Sequence, residues 1–446
     1  MKYYIIELTN KMCYTKVNIF FIKRSNNKNK MINKTYTIKE ISELTGYSQK
    51  IIRKEIAAEN LDSFKKNNKY FITDEALCTW KRKNLQLFEI QDKYIPKKDE
   101  VNWIDISKEM NTIDGWNTDY RNNLTFIDLF AGAGGISCGM VMAGFTPIAS
   151  IEIMEAAVET YKYNFVEKKK FDEIVETRDI REKSIKKELY GKTKDKKVDI
   201  IVGGFPCQGF SMAGNRVVDD PRNSLYLEML EIVNHIKPKF VVMENVEGLR
   251  TMLNGKIEEK IINDYKNIGY EINVTTLNSA DYGVAQTRKR VIFIGNRLGI
   301  KNFHPKPMFD ESNYKTLGEC IEKYMNLGEN KNINHIFTKH TEEMKQKIMN
   351  TPEGKSLYGN YSDAWKKSPW NKPSCTVKEN HGGVNLHPKL PRVLTPRELA
   401  ALQSFPDDFI FKGSKKWQLV QIGNAVPPLL AKAIGLAIFK TLKKEM

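Results

Sequence analysis

The stretch GGFPCQGFS, Gly203 to Ser211, decides how this chain of 446 residues is read. Before it, Val198, Ile200, Ile201 and Val202 form a short apolar run of the kind that becomes a buried parallel strand ending at Gly203–Gly204. Cys207 follows Pro206 directly, so a thiol sits just past the carboxyl end of that strand. Open α/β sheets bind ligands and do chemistry at that edge. Proline fixes φ there, and the flanking glycines permit a close approach to a ligand. A thiol held this rigidly reads as a nucleophile. Alone, a Pro-Cys pair is more often a buried structural cysteine, so its companions must decide.

Upstream, a first strand runs into FIDLFAGAGGIS, Phe126 to Ser137, with glycines at 132, 134 and 135. Their spacing differs from the dinucleotide fingerprint and no phosphate-binding lysine follows, which disfavours a pyrophosphate ligand. Glu152 closes the next strand, where a carboxylate accepts from ribose hydroxyls, and Asp179 is placed to receive an adenine amino group. Together these describe an adenosyl pocket without phosphates, as S-adenosylmethionine requires. Downstream, VVMENVEGL brings Glu244 and Asn245 to the same sheet edge, and QTRKR (Gln286 to Arg290) feeds the strand VIFIG. QIGNAVPPLLA, Gln421 to Ala431, sets Asn424 ahead of a proline-started helix. Glu244 or Asn245 alone could merely cap the following helix, and a basic turn is solvated by default. Their convergence argues for a site.

Strands are expected at Leu124–Leu129, Thr146–Ile151, Val198–Val202, Phe240–Met243 and Val291–Ile294, alternating with helical stretches. That is the pattern of a doubly wound α/β domain. The formal net charge of +17 suggests a polyanionic partner. Six cysteines without ligand spacing argue against structural zinc or a disulfide framework; no metal is expected. No run reads as long and apolar enough to span a bilayer, and no signal peptide is evident, so a cytoplasmic protein at the nucleoid is expected.

Residues 1–33 form a variable lead. From residue 34, Ile38, Ile41 and Leu44 recur at helical spacing, Thr45-Gly46-Tyr47 breaks the helix, and Ser48 opens a second one burying Ile51, Ile52 and Ile56. Gln49, Lys50, Arg53 and Lys54 face outward, KKNNKYFI reads as a β-wing, and Thr73 caps a helix through Leu77 and Trp80. Residues 34–83 resemble the winged helix-turn-helix of the excisionase/MerR-like group, which implies DNA binding, with the gene's own promoter as a candidate site. Residues 84–122, charged and irregular, read as a linker.

From Phe126 to Met446 the ordered blocks FIDLFAGAGG, Glu152, Asp179-Ile180, GFPCQGFS, MENV, QTRKR, RELAALQSFPDDF and QIGNAVPP resemble the bacterial DNA (cytosine-5) methyltransferases. The resemblance implies a Rossmann-like methyltransferase fold of seven strands, over 123–301 and 392–446, with a target-recognition domain inserted at 302–391. It implies duplex DNA as substrate, S-adenosylmethionine as cofactor, and membership of a restriction–modification system. Cys207 would attack carbon 6 of a flipped cytosine. Glu244 would engage ring nitrogen 3 and the exocyclic amine, with Arg290 orienting it and Arg288 nearby. For the cofactor, Phe130 would pack on adenine beside Gly132 and Gly134, Glu152 would hold ribose, and Asp179 with Ile180 would hold adenine. Leu225, Asn424 and Val426 would complete the pocket. Two positions depart from the family pattern: Ile153 stands where an aromatic often stacks on adenine, and Arg178 where glycine is frequent. In the insertion, TVKENHGGVNLHPK (Thr376 to Lys389) offers His381, Asn385 and His387 on what reads as a DNA-facing hairpin rim. Competing readings are an RNA cytosine-5 methyltransferase and a DNA-binding regulator. A monomer is expected at the catalytic step, with dimerisation through the N-terminal domain left open.

Overall fold

The structure, a computed structural model, describes residues 35–45, 49–67, 69–83, 101–206, 225–359, 365–378 and 385–444. The chain divides into two units, Met1–Ile95 and Pro96–Met446.

In the first unit, strand β1 (Thr35–Thr37) leads into helix α1 (Ile38–Thr45). The start of α1 is a capping arrangement. The Thr37 amide donates to Glu40 Oε2 at 2.8 Å, and the Glu40 amide donates back to Thr37 Oγ1 at 3.3 Å. Helix α2 (Gln49–Ala57), strands β2 (Phe64–Lys66) and β3 (Lys69–Thr73) and helix α3 (Asp74–Lys83) follow. The three strands pair antiparallel in the order β1-β3-β2. Ile38, Ile41, Ile52, Leu61, Ile72, Leu77 and Trp80 form the core of this unit. The turn expected at 46–48 lies outside the described residues.

The second unit begins with a correction. Of the stretch read as a linker, residues 101–122 are built into the body. Strand β4 (Trp103–Ile104) pairs parallel with β12 (His304–Pro305), and helix α4 (Ser107–Thr112) follows. Ile104, Ile106 and Trp116 are buried, and the Trp116 indole donates to Asp408 Oδ1 at 2.9 Å. These apolar residues follow neither a helical nor a strand period in the sequence, so no periodicity announces them.

The central sheet contains β5 (Thr125–Leu129), β6 (Thr146–Glu152), β7 (Ile174–Thr177), β8 (Ile200–Gly203), β9 (Phe240–Val246), β10 (Glu271–Asn278) and β11 (Lys289–Asn296). Their order is β10-β11-β9-β8-β5-β6-β7, and only β11 runs against its neighbours. Strand β7 and edge strand β10 escaped the sequence reading. Both mix polar and apolar residues, because one side of an edge strand stays wet.

Alternation along the inner strands builds two cores. Phe126, Ile200, Val202, Phe240, Val242, Ile292 and Ile294 face one side, with helices α5 (Gly135–Met142) and α14 (Pro428–Lys444). Ile127, Leu129, Ile201, Val241, Met243, Val291 and Phe293 face the other. There they meet α7 (Lys183–Thr193), α8 (Leu225–Ile236) and α9 (Lys256–Asn267). Each such side chain contributes about 1.5–3 kcal/mol by leaving water.

By length and composition the helical stretch Lys415–Lys444 passes as a membrane span, contrary to the sequence expectation, yet its apolar window is 83% buried inside the protein. It is a core element, broken between α13 (Lys415–Asn424) and α14. Residues 302–391 carry little regular structure beyond β12: helices α10 (Leu317–Ile321) and α11 (Glu342–Asn350) and the parallel pair Lys366–Lys367 and Asn385–Leu386, with Ile348 and Leu386 packed on Val393.

Candidate active site

A cavity of about 1070 Å³ opens at the edge where β5, β6, β8 and β9 end, and the start of β11 reaches the same edge because that strand is reversed. Phe130, Gly132, Glu152, Ile153, Asp179, Ile180, Leu225, Glu244, Arg288, Arg290, Asn424 and Val426 all line it. Sequence blocks up to 296 positions apart in the chain thus converge on one volume. Residues 207–224 lie outside the described residues, and with them Cys207.

At one end Phe130 leaves β5 with φ at 63°, a left-handed conformation that costs a side-chain-bearing residue about 1–3 kcal/mol. The turn is held by Glu152. Its Oε2 accepts from the Gly132 amide and its Oε1 from the Met154 amide, each at 2.8 Å. A carboxylate offers about four acceptor positions, so each oxygen keeps one for a ligand hydroxyl. Gly132, at φ 54°, has open space where a side chain would stand. Gly134 is placed differently from its expected cofactor role. At φ 92° it opens α5, and a side chain there would strike the Phe165 ring, so its absence serves packing. Ile153 is 64% exposed on the cavity rim.

Asp179 is held by Arg181, which the sequence reading did not single out. The Arg181 amide donates to Asp179 Oδ1 at 3.0 Å, Nε donates to the same oxygen at 2.9 Å, and Nη2 donates to Oδ2. These hydrogen bonds hold the Asp179 carboxyl below its ordinary range. Arg178 turns instead to Glu176 and Glu188.

At the other end, Arg290 Nε donates to Glu244 Oε1 at 2.8 Å, with both side chains largely buried. The sheet imposes this meeting, since Arg290 pairs with Val246 and Ile292 with Glu244 across β11 and β9. Arg288 is buried and does not reach Glu244's hydrogen-bond shell. Its Nη1 donates to the Val377 carbonyl at 2.8 Å and its Nη2 to the Gly423 carbonyl at 3.0 Å. Burial, reinforced by the nearby Arg290 charge, lowers its guanidinium to about 9. Arg288 is therefore the tie between the arginine strand, the Val377 segment and the Asn424 turn.

Two glutamines extend that tie. Gln286 Nε2 donates to Gln403 Oε1 at 2.8 Å, and Gln403 Nε2 donates to the Ile422 carbonyl at 2.6 Å. The Val377 amide donates to Gln286 Oε1 at 2.7 Å. Gln286 heads the QTRKR block and Gln403 follows the apolar LAAL run, yet nothing in the sequence names the partner of either. Val426 comes close to α5 because Gly135 has no side chain to meet its carbonyl.

Asn385 and His387, expected on a DNA-facing rim, are buried. His387 Nδ1 accepts from the Lys389 and Leu390 amides at 3.1 Å, and burial lowers its imidazole to about 4. Both residues build the loop and cannot present themselves to a base edge. His381 lies outside the described residues. Among the described residues no group of three or more His, Cys, Asp and Glu is placed to hold a metal ion.

A model of the family "C-5 cytosine-specific DNA methylase" matches residues 124–440. The chain belongs to that family. It is an enzyme, a cytosine-5 DNA methylase. Type II methyltransferase M1.HphI of Haemophilus parahaemolyticus is 40% identical over 341 residues, covering 73% of this chain and 89% of the relative. Type II methyltransferase M.DdeI of Desulfomicrobium norvegicum is 34% identical over 371 residues, covering 70% and 88%. Among solved structures, a DNA modification methyltransferase encoded within an E. coli prophage aligns with TM-score 0.59 and 27% identity, over 72% of this chain and 100% of the other. Cytosine-5 methylases of this family use S-adenosylmethionine, and the Glu152 and Asp179 carboxylates on the cavity wall are acceptors of the kind that hydroxyl and amino groups need.

Proposed function

We propose that this methylase modifies carbon 5 of a cytosine flipped out of a short duplex site, through a transient bond to Cys207. Carbon 5 is too weak a nucleophile to be methylated unaided. Addition of the Cys207 thiolate to carbon 6 moves electron density to carbon 5, which is covalent catalysis. Glu244 in its protonated form donates to ring nitrogen 3 as charge develops there, and its carbonyl oxygen accepts from the exocyclic amine. Arg290 holds Glu244 in place; Arg288 positions the segments around it. Loss of the carbon 5 proton then expels the thiolate. S-adenosylmethionine would supply the electrophilic methyl group, with Glu152 on the ribose, Asp179 and Ile180 on the adenine, Phe130 packed beside the ring, and Leu225, Asn424 and Val426 lining the rest. Because these atoms are buried in a duplex, the base must leave the stack.

The Glu244–Arg290 pair carries this reading. It sets an acid, already oriented, at the end of the strand beside the one that leads to Pro206-Cys207. Duplex DNA carrying 5-fluorocytosine at the target position tests it. With cofactor present, a stable adduct is expected on Cys207 and none on Cys207→Ser. A fully folded wild-type chain that methylates DNA without ever yielding that adduct would overturn it.

The likeness to Type II methyltransferases supports a modification enzyme of a restriction–modification system, with the insertion at 302–391 reading the target and the enzyme acting as a monomer in the cytoplasm. For residues 34–83 we infer a winged helix-turn-helix that binds DNA, including the gene's own promoter. Exposed Lys50, Arg53 and Lys54 on α2 support it.

A further inference from the structure

We propose that Arg181 sets the adenine specificity of the cofactor end, by fixing the Asp179 carboxylate at the cavity wall as an acceptor for a 6-amino group. This rests on the S-adenosylmethionine reading above. Both residues line the cavity, and Arg181 grips Asp179 from its backbone amide and from its guanidinium. The grip leaves the carboxylate little choice of orientation. Three donors from Arg181 reach it, with Nε shared between Oδ1 and Oδ2 at 2.9 and 3.0 Å, so both oxygens are pinned while the carboxylate keeps acceptor capacity for a ligand. A carboxylate so held stays an acceptor; the lowered range of Asp179 agrees.

The neighbouring arginine does a different job. Arg178 is committed to Glu176 and Glu188, and it has no contact with Asp179 among its hydrogen bonds and ion pairs. Opposite the Phe130 contact proposed above, the adenine meets no second aromatic at Ile153, an aliphatic side chain that is 64% exposed. With less π contact available, discrimination between purines falls more heavily on the polar edge. The chemistry of that edge is selective. Adenine presents an amino donor at position 6, whereas hypoxanthine presents a carbonyl acceptor that a fixed carboxylate repels. Sites built to accept a hydrogen bond reject ligands that cannot donate it.

The test is calorimetric, on the full chain, with S-adenosylhomocysteine and its 6-oxo counterpart S-inosylhomocysteine as probes. The wild type should prefer the adenosyl ligand by about 100-fold or more. Arg181→Met should weaken the adenosyl ligand and cut that preference at least about tenfold. Arg181→Lys should restore part of it, and Arg178→Met should leave it intact. Asp179→Asn, which puts a rotatable amide at the same place, should abolish the preference. A preference retained in Arg181→Met overturns the role of Arg181, including when both affinities fall together. A wild-type chain that binds neither ligand overturns the cofactor reading and this inference with it.

Discussion

Asn245 Nδ2, on β9, donates to the backbone carbonyl of Phe205 at 2.9 Å, clipping the turn that precedes Cys207 to the adjacent strand. Phe205 is itself buried against Tyr226, so the turn is held on both sides up to Pro206. Asn245→Ala removes the clip and leaves a buried carbonyl without its donor, a loss of about 1–3 kcal/mol. The expected outcome is a fall in kcat of about 100-fold with cofactor affinity unchanged, measured by methyl transfer and by calorimetry. Equal losses in both would place Asn245 in general folding instead.

Gly135 admits the Val426 carbonyl to the first turn of α5. In Gly135→Ala the new methyl group meets that carbonyl, and the backbone must move, at a cost of about 1–3 kcal/mol. The melting temperature should drop by several degrees, and the affinity for S-adenosylhomocysteine should fall by about tenfold because Asn424 and Val426 retreat together. Thermal unfolding with and without ligand reads both. An unchanged ligand-induced shift would refute the second part.

Behind the glycine turn lies a buried chain of acids and hydroxyls. Ser137 Oγ donates to Asp128 Oδ2 at 2.6 Å, Tyr161 donates to Ser137 Oγ at 2.8 Å, and Glu173 Oε1 lies 2.8 Å from the tyrosine oxygen. Desolvation raises Asp128 to about 7 and Glu173 to about 8. The unfolded chain therefore releases these protons first, and folding stability falls as pH rises from the ordinary carboxylate range toward 8. Glu173→Gln keeps the shape and donates to Tyr161 without a titratable proton. Its unfolding free energy should exceed that of the wild type more at pH 8 than at pH 5, by at least about 1 kcal/mol. A gain equal at both pH values would show that Glu173 does not titrate in that window.

On α2, Lys50 and Arg53 are exposed on a helix whose opposite face buries Ile52. If this face meets phosphates, Lys50→Glu with Arg53→Glu should weaken promoter-DNA binding and lower the slope of log affinity against log salt by about 2. Methylation of a plasmid lacking the promoter should be unaffected. An unaltered salt slope would remove α2 from the interface.

Much of the catalytic unit was legible because its strands are buried on both faces. Ile200, Ile201 and Val202 announce a core strand, and the blocks that follow each strand mark the ligand edge. The N-terminal helices likewise show their buried isoleucines at the expected spacing. What stayed hidden depends on contacts distant in sequence. Trp116 owes its place to Asp408, and Gln286 to Gln403, and neither partnership leaves a local period. Gly134 looked like a ligand contact since a glycine-rich turn does not say which glycine faces the ligand and which a ring. His387 and Asn385 looked like surface because polar residues usually are, yet here they satisfy backbone and thiol groups inside a loop. Arg181 was missed for the opposite reason. A single basic residue after an acid is common, and only geometry separates a solvated side chain from a clamp.

Strand β11 joins folding to chemistry in one further respect. Side chains alternate along a strand, so sliding β11 by one position would bring Lys289 opposite Val246 and turn Ile292 and Phe293 toward the wrong layers. The oily residues that never meet a substrate are what forbid the slip. Their fit acts as the ruler by which Arg290 finds its acid, so faulty alignment is rejected during assembly, before any nucleic acid arrives.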